Sequence, residues 1–320
     1  MNLLRGRTRE LAIACACLLL LGLLLVRAHG FFTPGNLLDL FLANMPVLLV
    51  ALGMLPVILA GEIDISVGSQ FALCSVAAGM LARSGLPAVA WLPAACLLGA
   101  ACGALNGALT GYLRLPSIVV TLATGVVLRD GLRWATEGAW VGNLPPGFPR
   151  FGLSGSAYAV LVLTTCGLLT LTAALGLHFL RAGRAVFATG SNGAAATQMG
   201  IDTRRVVLSV FSLTGALTGL AASLNAVRFN QIPSNGGLGL ELKVIAAVAV
   251  GGAAITGGFG TVAGTVLGVV LLGLIGPALL FLGVSAYWER AMQGAIILLA
   301  VGATALGTQL RRRLGVALAR

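Results

Sequence analysis

The chain has 320 residues, 58% of them hydrophobic and 9% charged, with a mean hydropathy of +1.01. A soluble domain carries about 25% charged residues because its surface must be solvated. The charge deficit therefore excludes such a domain, together with a disordered chain or a nucleic-acid-binding domain, both of which need dense charge. The balance of 20 Lys+Arg against 9 Asp+Glu, a formal +11, is spread between apolar runs. That spacing suits loops beside an anionic membrane leaflet better than a phosphate-binding stripe. The sequence reads as an all-α polytopic membrane protein with a single membrane domain over 1–320.

A helix needs about 20 apolar residues to cross a hydrocarbon core of about 30 Å. The apolar runs predict helices near 11–26, 37–60, 66–82, 88–111, 116–135, 157–180, 206–227, 240–256, 260–283 and 289–309, ten in all. The first follows Arg5, Arg7 and Arg9, as a signal peptide would. Its run is long for one, and Arg27-Ala28-His29 offers no small-residue cleavage site, so it is read as a retained helix. The stretch from Val244 to Trp288 has no acidic or basic residue. As one helix it would run about 68 Å, so it must fold back, and Gly251-Gly252 and Gly257-Gly258 are the place.

Arginine sets the expected orientation. With both termini cytoplasmic, the inner segments gather Arg5, Arg7, Arg9, Arg114, Arg181, Arg184, Arg204, Arg205, Arg311, Arg312, Arg313 and Arg320. Three loops are long. The outer loop 129–156 carries Trp134, Trp140, Phe148, Phe151 and three prolines; it reads either as an interfacial aromatic belt or as a docking surface for a partner. The outer segment 228–242 is rich in Asn and Gly. The inner loop 181–205 holds Ser191 and Asn192, both N-cap types, then about two helical turns with Ala195 and Gln198, then Gly200 as a C′ residue. That short helix can lie on anionic headgroups or dock into a soluble partner.

Glycines recur every four residues at Gly99, Gly103, Gly107 and Gly111, and again at Gly260, Gly264 and Gly268. Small residues let backbones approach inside lipid, so 88–111 is expected at the centre of a bundle. An internal repeat aligns Gly61–Gly68 with Gly251–Gly258, two turns expected on the same side of the membrane.

Motifs for nucleotide binding, zinc or nucleophilic catalysis are missing. The six cysteines lie in apolar stretches, none in a C-x-x-C, and His29 and His178 are isolated, so neither a metal nor a redox site is expected. The informative residues are polar groups between or inside the apolar runs. Glu62, Asp64 and Ser66 sit at a break between two spans, where they either form an ordinary loop or line a re-entrant element. Asn44 and Asn106 either bond a neighbouring helix or line a path for a hydroxylated solute.

Gly61-Glu62-Ile63-Asp64-Ile65-Ser66-Val67-Gly68-Ser69 resembles the G-x-I-D-[LI]-S-V-G-S signature of permease subunits of ribose-type ABC importers. Further stretches resemble the same family: Asn106-Gly107 through Leu113 to Leu122, which takes in Thr121; Ala188–Asn192 with Met199–Ile201; and Gly239–Ala247 leading to Gly251-Gly252 and Thr256–Gly258. Together they cover about 35–305 in the family's order. Trp140–Pro145 and Ala286-Tyr287-Trp288 look most like the rhamnose and autoinducer-2 branch. Glu62 departs from the pattern, where Gly is commoner.

The resemblance implies a type II importer-like fold of about ten helices in the bacterial inner membrane, not an enzyme. It implies a sugar or sugar-like solute, for which Asn44, Glu62, Asp64, Ser66, Asn106 and Thr121 are the candidate path residues. The implied partners are a second permease copy or paralogue, a periplasmic sugar-binding protein, membrane lipid and a cytoplasmic ATPase. That ATPase binds ATP and Mg, this chain holds no cofactor, and the coupling helix is formed by Ser191, Asn192, Ala195, Gln198 and Gly200. The alternative is a proton-coupled secondary transporter of a small polar solute. Such a carrier usually needs a titratable relay within its spans, and the mid-span charges for one are missing.

Overall fold

In a computed structural model, residues 2–285, 288–289, 291–292, 294–295 and 298 are described, residues 2–9 by their backbone alone. Eleven α-helices follow in chain order: α1 (Asn2–Arg27), α2 (Pro34–Leu59), α3 (Val67–Arg83), α4 (Ala88–Gly111), α5 (Ser117–Ala135), α6 (Gly155–Phe179), α7 (Arg181–Ser191), α8 (Gly193–Gln198), α9 (Thr203–Ala226), α10 (Leu240–Val250) and α11 (Val262–Phe281). Seven of the expected helices appear within a few residues of their expected bounds; α1 begins nine residues before the expected 11, α10 ends six residues before the expected 256, and α7 and α8 divide the long basic loop. The expected helix at 289–309 falls mostly outside the described residues, as do Tyr287, Arg311, Arg312, Arg313 and Arg320.

Six of these helices are long and apolar enough to cross a membrane: 10–27 within α1, and α2, α4, α6, α9 and α11. The expected count of ten spans is therefore not confirmed: among the described residues six helices qualify, and α3, α5 and α10 are shorter or more charged. The 17 residues of α3 rise about 26 Å. The helix α5 carries Arg129, Asp130 and Arg133 in its final turns. The 11 residues of α10 rise about 16 Å, roughly half a hydrocarbon core. It ends at Val250 and not near 256, because Gly252 takes a left-handed φ of 93° and turns the chain.

The core is built around α2. Pro34 opens this helix with its fixed φ, a few residues before the expected start at 37. From Met45 to Leu59 nearly every side chain is buried. Pro46 and Pro56 lie inside it, and the Leu42 carbonyl that Pro46 leaves without its helical donor accepts from Arg228 Nη1 at 2.7 Å.

The glycine periodicity does mark close backbone contact, although the place is a correction. In α4, Gly99 abuts the backbone of Gly215 in α9, and a Cβ on Gly107 would lie 2.8 Å from Leu208 Cα. Yet α4 is a flank of the bundle, with Val89 83% and Leu97 69% exposed. Its glycines occupy a single stripe, and that face packs closely on α9. The second glycine series acts alike, since Gly264 and Gly268 of α11 meet the backbone of α10. A separate cluster of Leu24, Phe31, Leu274 and Ala278 seats α1 on α11.

The two ends of the bundle differ. At one end α7 carries Arg181 and Arg184 and the first turn of α9 carries Arg204 and Arg205; it is called the basic end below. At the other end the two long loops clasp through an antiparallel bridge, with Val141 N–H donating to Ile232 O at 2.9 Å and Ile232 N–H returning to Val141 O at 3.0 Å. The aromatic residues of 129–156 divide between two roles. Phe148 is buried and Phe151 stacks on Trp91 at 5.6 Å between centroids, whereas Trp134 and Trp140 are exposed.

Candidate functional site

The break between α2 and α3 is an extended segment from Glu62 to Ile65 that re-enters the bundle. Asp64 starts it inward and is fully buried. Its Oδ1 accepts from Ser66 N at 2.9 Å and from Ser66 Oγ at 2.6 Å, and its Oδ2 accepts from Gln70 Nε2 at 3.3 Å. The Ser66 hydroxyl in turn accepts from Gln70 Nε2 at 2.7 Å and from Asn106 Nδ2 at 2.8 Å. Asp64, Ser66 and Asn106 are therefore one hydrogen-bonded knot joining the re-entrant segment, α3 and α4. Burying a carboxylate demands such partners. Gln70 completes the knot and was not singled out in the sequence; its signal is its spacing four residues after Ser66, on the same face of α3.

The remaining expected residues separate. Thr121 Oγ1 donates to Ser117 O at 2.8 Å and to Ile63 O at 3.3 Å, which fastens α5 to the segment just before Asp64. Glu62 points away to the basic end, where partial burial holds its carboxyl above the usual carboxylate range. There it lines a cavity of about 620 Å3 with Arg114, Thr189, Ala194, Thr197 and Arg204. Asn44 stands apart: its amide donates to Leu40 O and to Gly273 O of α11. It is a helix-to-helix bond.

The short helix at the basic end forms where the capping residues place it. Asn192 Oδ1 accepts from Ala195 N at 3.0 Å, and Gly200 closes the turn with φ 82°. Ala196 is buried beneath it, Ala195 is half-buried, and Ala194, Gln198 and Met199 face outward. Behind it, Gly190 lies against two turns at once. A Cβ there would collide with the Leu59 carbonyl oxygen and lie 2.9 Å from Gly258 N, and Gly258 N–H itself donates to Leu59 O at 2.9 Å. Gly257, with φ 90°, lies against Gly61, with φ 87°. The two turns aligned as an internal repeat thus touch one another and the α7–α8 corner through bare backbone.

Among the described residues no group of His, Cys, Asp and Glu is placed to hold a metal ion. The chain was compared with known proteins. The family described as branched-chain amino acid transport system / permease component matches residues 36–301. Autoinducer 2 import system permease protein LsrC of Photorhabdus luminescens is 35% identical over 298 residues, 91% of this chain and 88% of that protein. The LsrC protein of Salmonella typhi is 35% identical over 302 residues, 92% and 84% of the two chains. That of Enterobacter sp. (strain 638) is 33% identical over 314 residues, 96% and 89%. No solved structure matches the chain significantly.

Proposed function

The chain belongs to the family of branched-chain amino acid transport system permease components, and from that premise we propose that it is the membrane-spanning subunit of a bacterial inner-membrane ABC importer for autoinducer-2 or a sugar-like solute such as rhamnose or a ribose-type pentose. As a permease it is a transport component and not an enzyme. The family description names amino acids, whereas relatives matching most of both chains are named for autoinducer 2. The relatives carry the choice of solute here, because they align nearly end to end and agree with one another.

The described helices support an arrangement in which α3, α5 and α10 lie within the bilayer beside the six long helices. An 11-residue helix is tolerated at membrane depth when protein surrounds its ends, as α11 and α2 do for α10. The basic end is assigned to the cytoplasm, following the arginine bias, with the amino terminus on the same side.

The helix α8 is assigned as the contact for a separate ATPase that binds ATP and Mg. Ala194 on its outward face is small, and Gly190 of α7 just before it presses on the turns that open α3 and α11. The clasped loops with exposed Trp134 and Trp140 are assigned to a periplasmic binding protein, and a second permease completes the path. The proton-coupled alternative has no structural support: Asp64, the one fully buried carboxylate among the described residues, is bound by Ser66 and Gln70.

The experiment is uptake into proteoliposomes. Uptake of radiolabelled autoinducer-2, D-ribose or L-rhamnose is expected only with ATP, a cognate ATPase and a loaded binding protein. Uptake driven by a proton gradient without ATP would sink this reading.

A further inference from the structure

Two helices begin where they meet. The N-terminal ends of α3 and α10 cross at Gly68 and Gly237, where a Cβ on either residue would lie 2.6 Å from the other's carbonyl oxygen. Neither N-cap residue, Ser66 nor Gly239, bonds its helix's first turn through a side chain. Opposed charges flank this crossing. Arg129 of α5 donates from Nε to Ser69 Oγ at 3.2 Å and from Nη1 to Gly236 O at 3.4 Å. In the first turn of α10, Glu241 presses its carboxylate against Gly68, and its Oε2 is buried with no hydrogen-bond partner. Arg129 and Glu241 do not pair with each other; the ion pairs among the described residues are Arg133–Asp130, Arg205–Asp202 and Lys243–Glu289.

A buried carboxylate oxygen without a donor is costly, and Glu241 Oε2 beside the crossing of Gly68 and Gly237 is one. Parting the two bare backbones uncovers Oε2, and the site lies near the surface, because Leu238 beside it is 58% exposed. Ionisable groups inside a membrane chain mark solute paths, and broken helices commonly direct their N-termini at the solute. We propose that this crossing is a gate whose opening presents Glu241 and Arg129 to the solute as a hydroxyl-binding point. The carboxylate accepts from solute hydroxyl groups, and the guanidinium donates to hydroxyl or ring oxygens. The pair is neutral overall and offers acceptors at Glu241 and donors at Arg129, which suits an uncharged polyhydroxylated solute that needs both. This rests on the permease reading above and names the place where the path touches its cargo.

The test uses the assembled importer in proteoliposomes, with radiolabelled autoinducer-2, D-ribose, L-rhamnose and L-leucine, and reads solute molecules moved per ATP hydrolysed. That ratio is indifferent to the folded fraction, so a merely structural role does not move it. Both Glu241→Gln and Arg129→Gln are expected to lower it at least about tenfold, the scale of losing one charge-assisted hydrogen bond. The double variant Glu241→Gln with Arg129→Gln restores neutrality and is expected to stay low. Rescue in the double variant would reduce the pair to charge balance and overturn the proposal, as would unchanged ratios in both single variants. If either single variant fails to fold, the double variant decides alone. Uptake of L-leucine in place of the sugars would mean that the pair holds a zwitterion's ammonium and carboxylate instead of hydroxyl groups, and would overturn the proposal. Uptake of none of the four would overturn the permease reading itself.

Discussion

Asn106 of α4 donates its side-chain amide to the Ser66 hydroxyl at 2.8 Å, and that hydroxyl passes the bond to Asp64 at 2.6 Å. The helix packed on α9 is thereby tied to the segment that re-enters the bundle. Asn106→Leu removes that donor and leaves the Ser66 hydroxyl with Gln70 as its remaining side-chain donor. A loss of about 1–3 kcal/mol follows from one buried hydrogen bond and its unsatisfied partner. The variant should melt several degrees lower in detergent than the wild type. An unchanged melting temperature would show that the knot contributes nothing to the fold.

The stripe on α4 makes a different kind of demand. A Cβ on Gly107 would meet Leu208 Cα at 2.8 Å and Phe211 Cβ at 3.0 Å. Gly107→Leu adds four heavy atoms to that contact, and overpacking of this sort costs about 1–3 kcal/mol. The expected outcome is a reduced folded yield in size-exclusion chromatography, with the solute preference of the surviving protein unchanged. Gly35 has open space around it, so Gly35→Ala serves as the control that should leave yield intact.

Much of this was legible in the sequence because apolar length and glycine spacing are local signals. The runs that became α2, α4, α6, α9 and α11 needed only a count of residues against the bilayer. Capping chemistry at Asn192 and Gly200 located α8 to within a residue or two. What escaped was what depends on chain meeting chain. Nothing local says that Asn44 faces α11 while Asn106 faces Ser66, since both are lone amides in apolar runs. Nor does spacing reveal that α10 stops half-way, or that Arg129 reaches Gly236, more than a hundred residues away in sequence.

Gly190 carries a prediction about coupling. Its Cα leaves no room between Leu59 O and Gly258 N, so any movement of the α7–α8 corner presses directly on the turns that open α3 and α11. Gly190→Ala must separate these backbones. Under the importer reading, the assembled complex should still hydrolyse ATP, and loaded binding protein should no longer raise that rate. Normal stimulation would place the transmission elsewhere.

Sidedness is tested by thiol labelling in a cysteine-free background of intact cells. Ala139 lies in the clasped loops and is exposed, and Gln198 is exposed on α8. An impermeant maleimide should label Ala139→Cys directly and Gln198→Cys only after permeabilisation. The reverse pattern would place α8 outside and remove its assignment to an ATPase.

The two faces of α8 separate docking from folding. Ala196 is fully buried under the helix, whereas Ala194 is exposed. A tryptophan at 196 has no space and must disrupt the corner at Gly190, lowering folded yield. At Ala194 the same ring points outward and leaves the isolated permease folded. If α8 only rests on lipid headgroups, an added aromatic ring at that surface is neutral or favourable. If it enters a cleft on the ATPase, close-packed contacts refuse the added volume, and Ala194→Trp should cut co-purification of the ATPase severalfold at matched expression. Retained co-purification with solute-stimulated hydrolysis would shift the docking contact to the turn at Gly257 and Gly258, which shares the same end of the bundle.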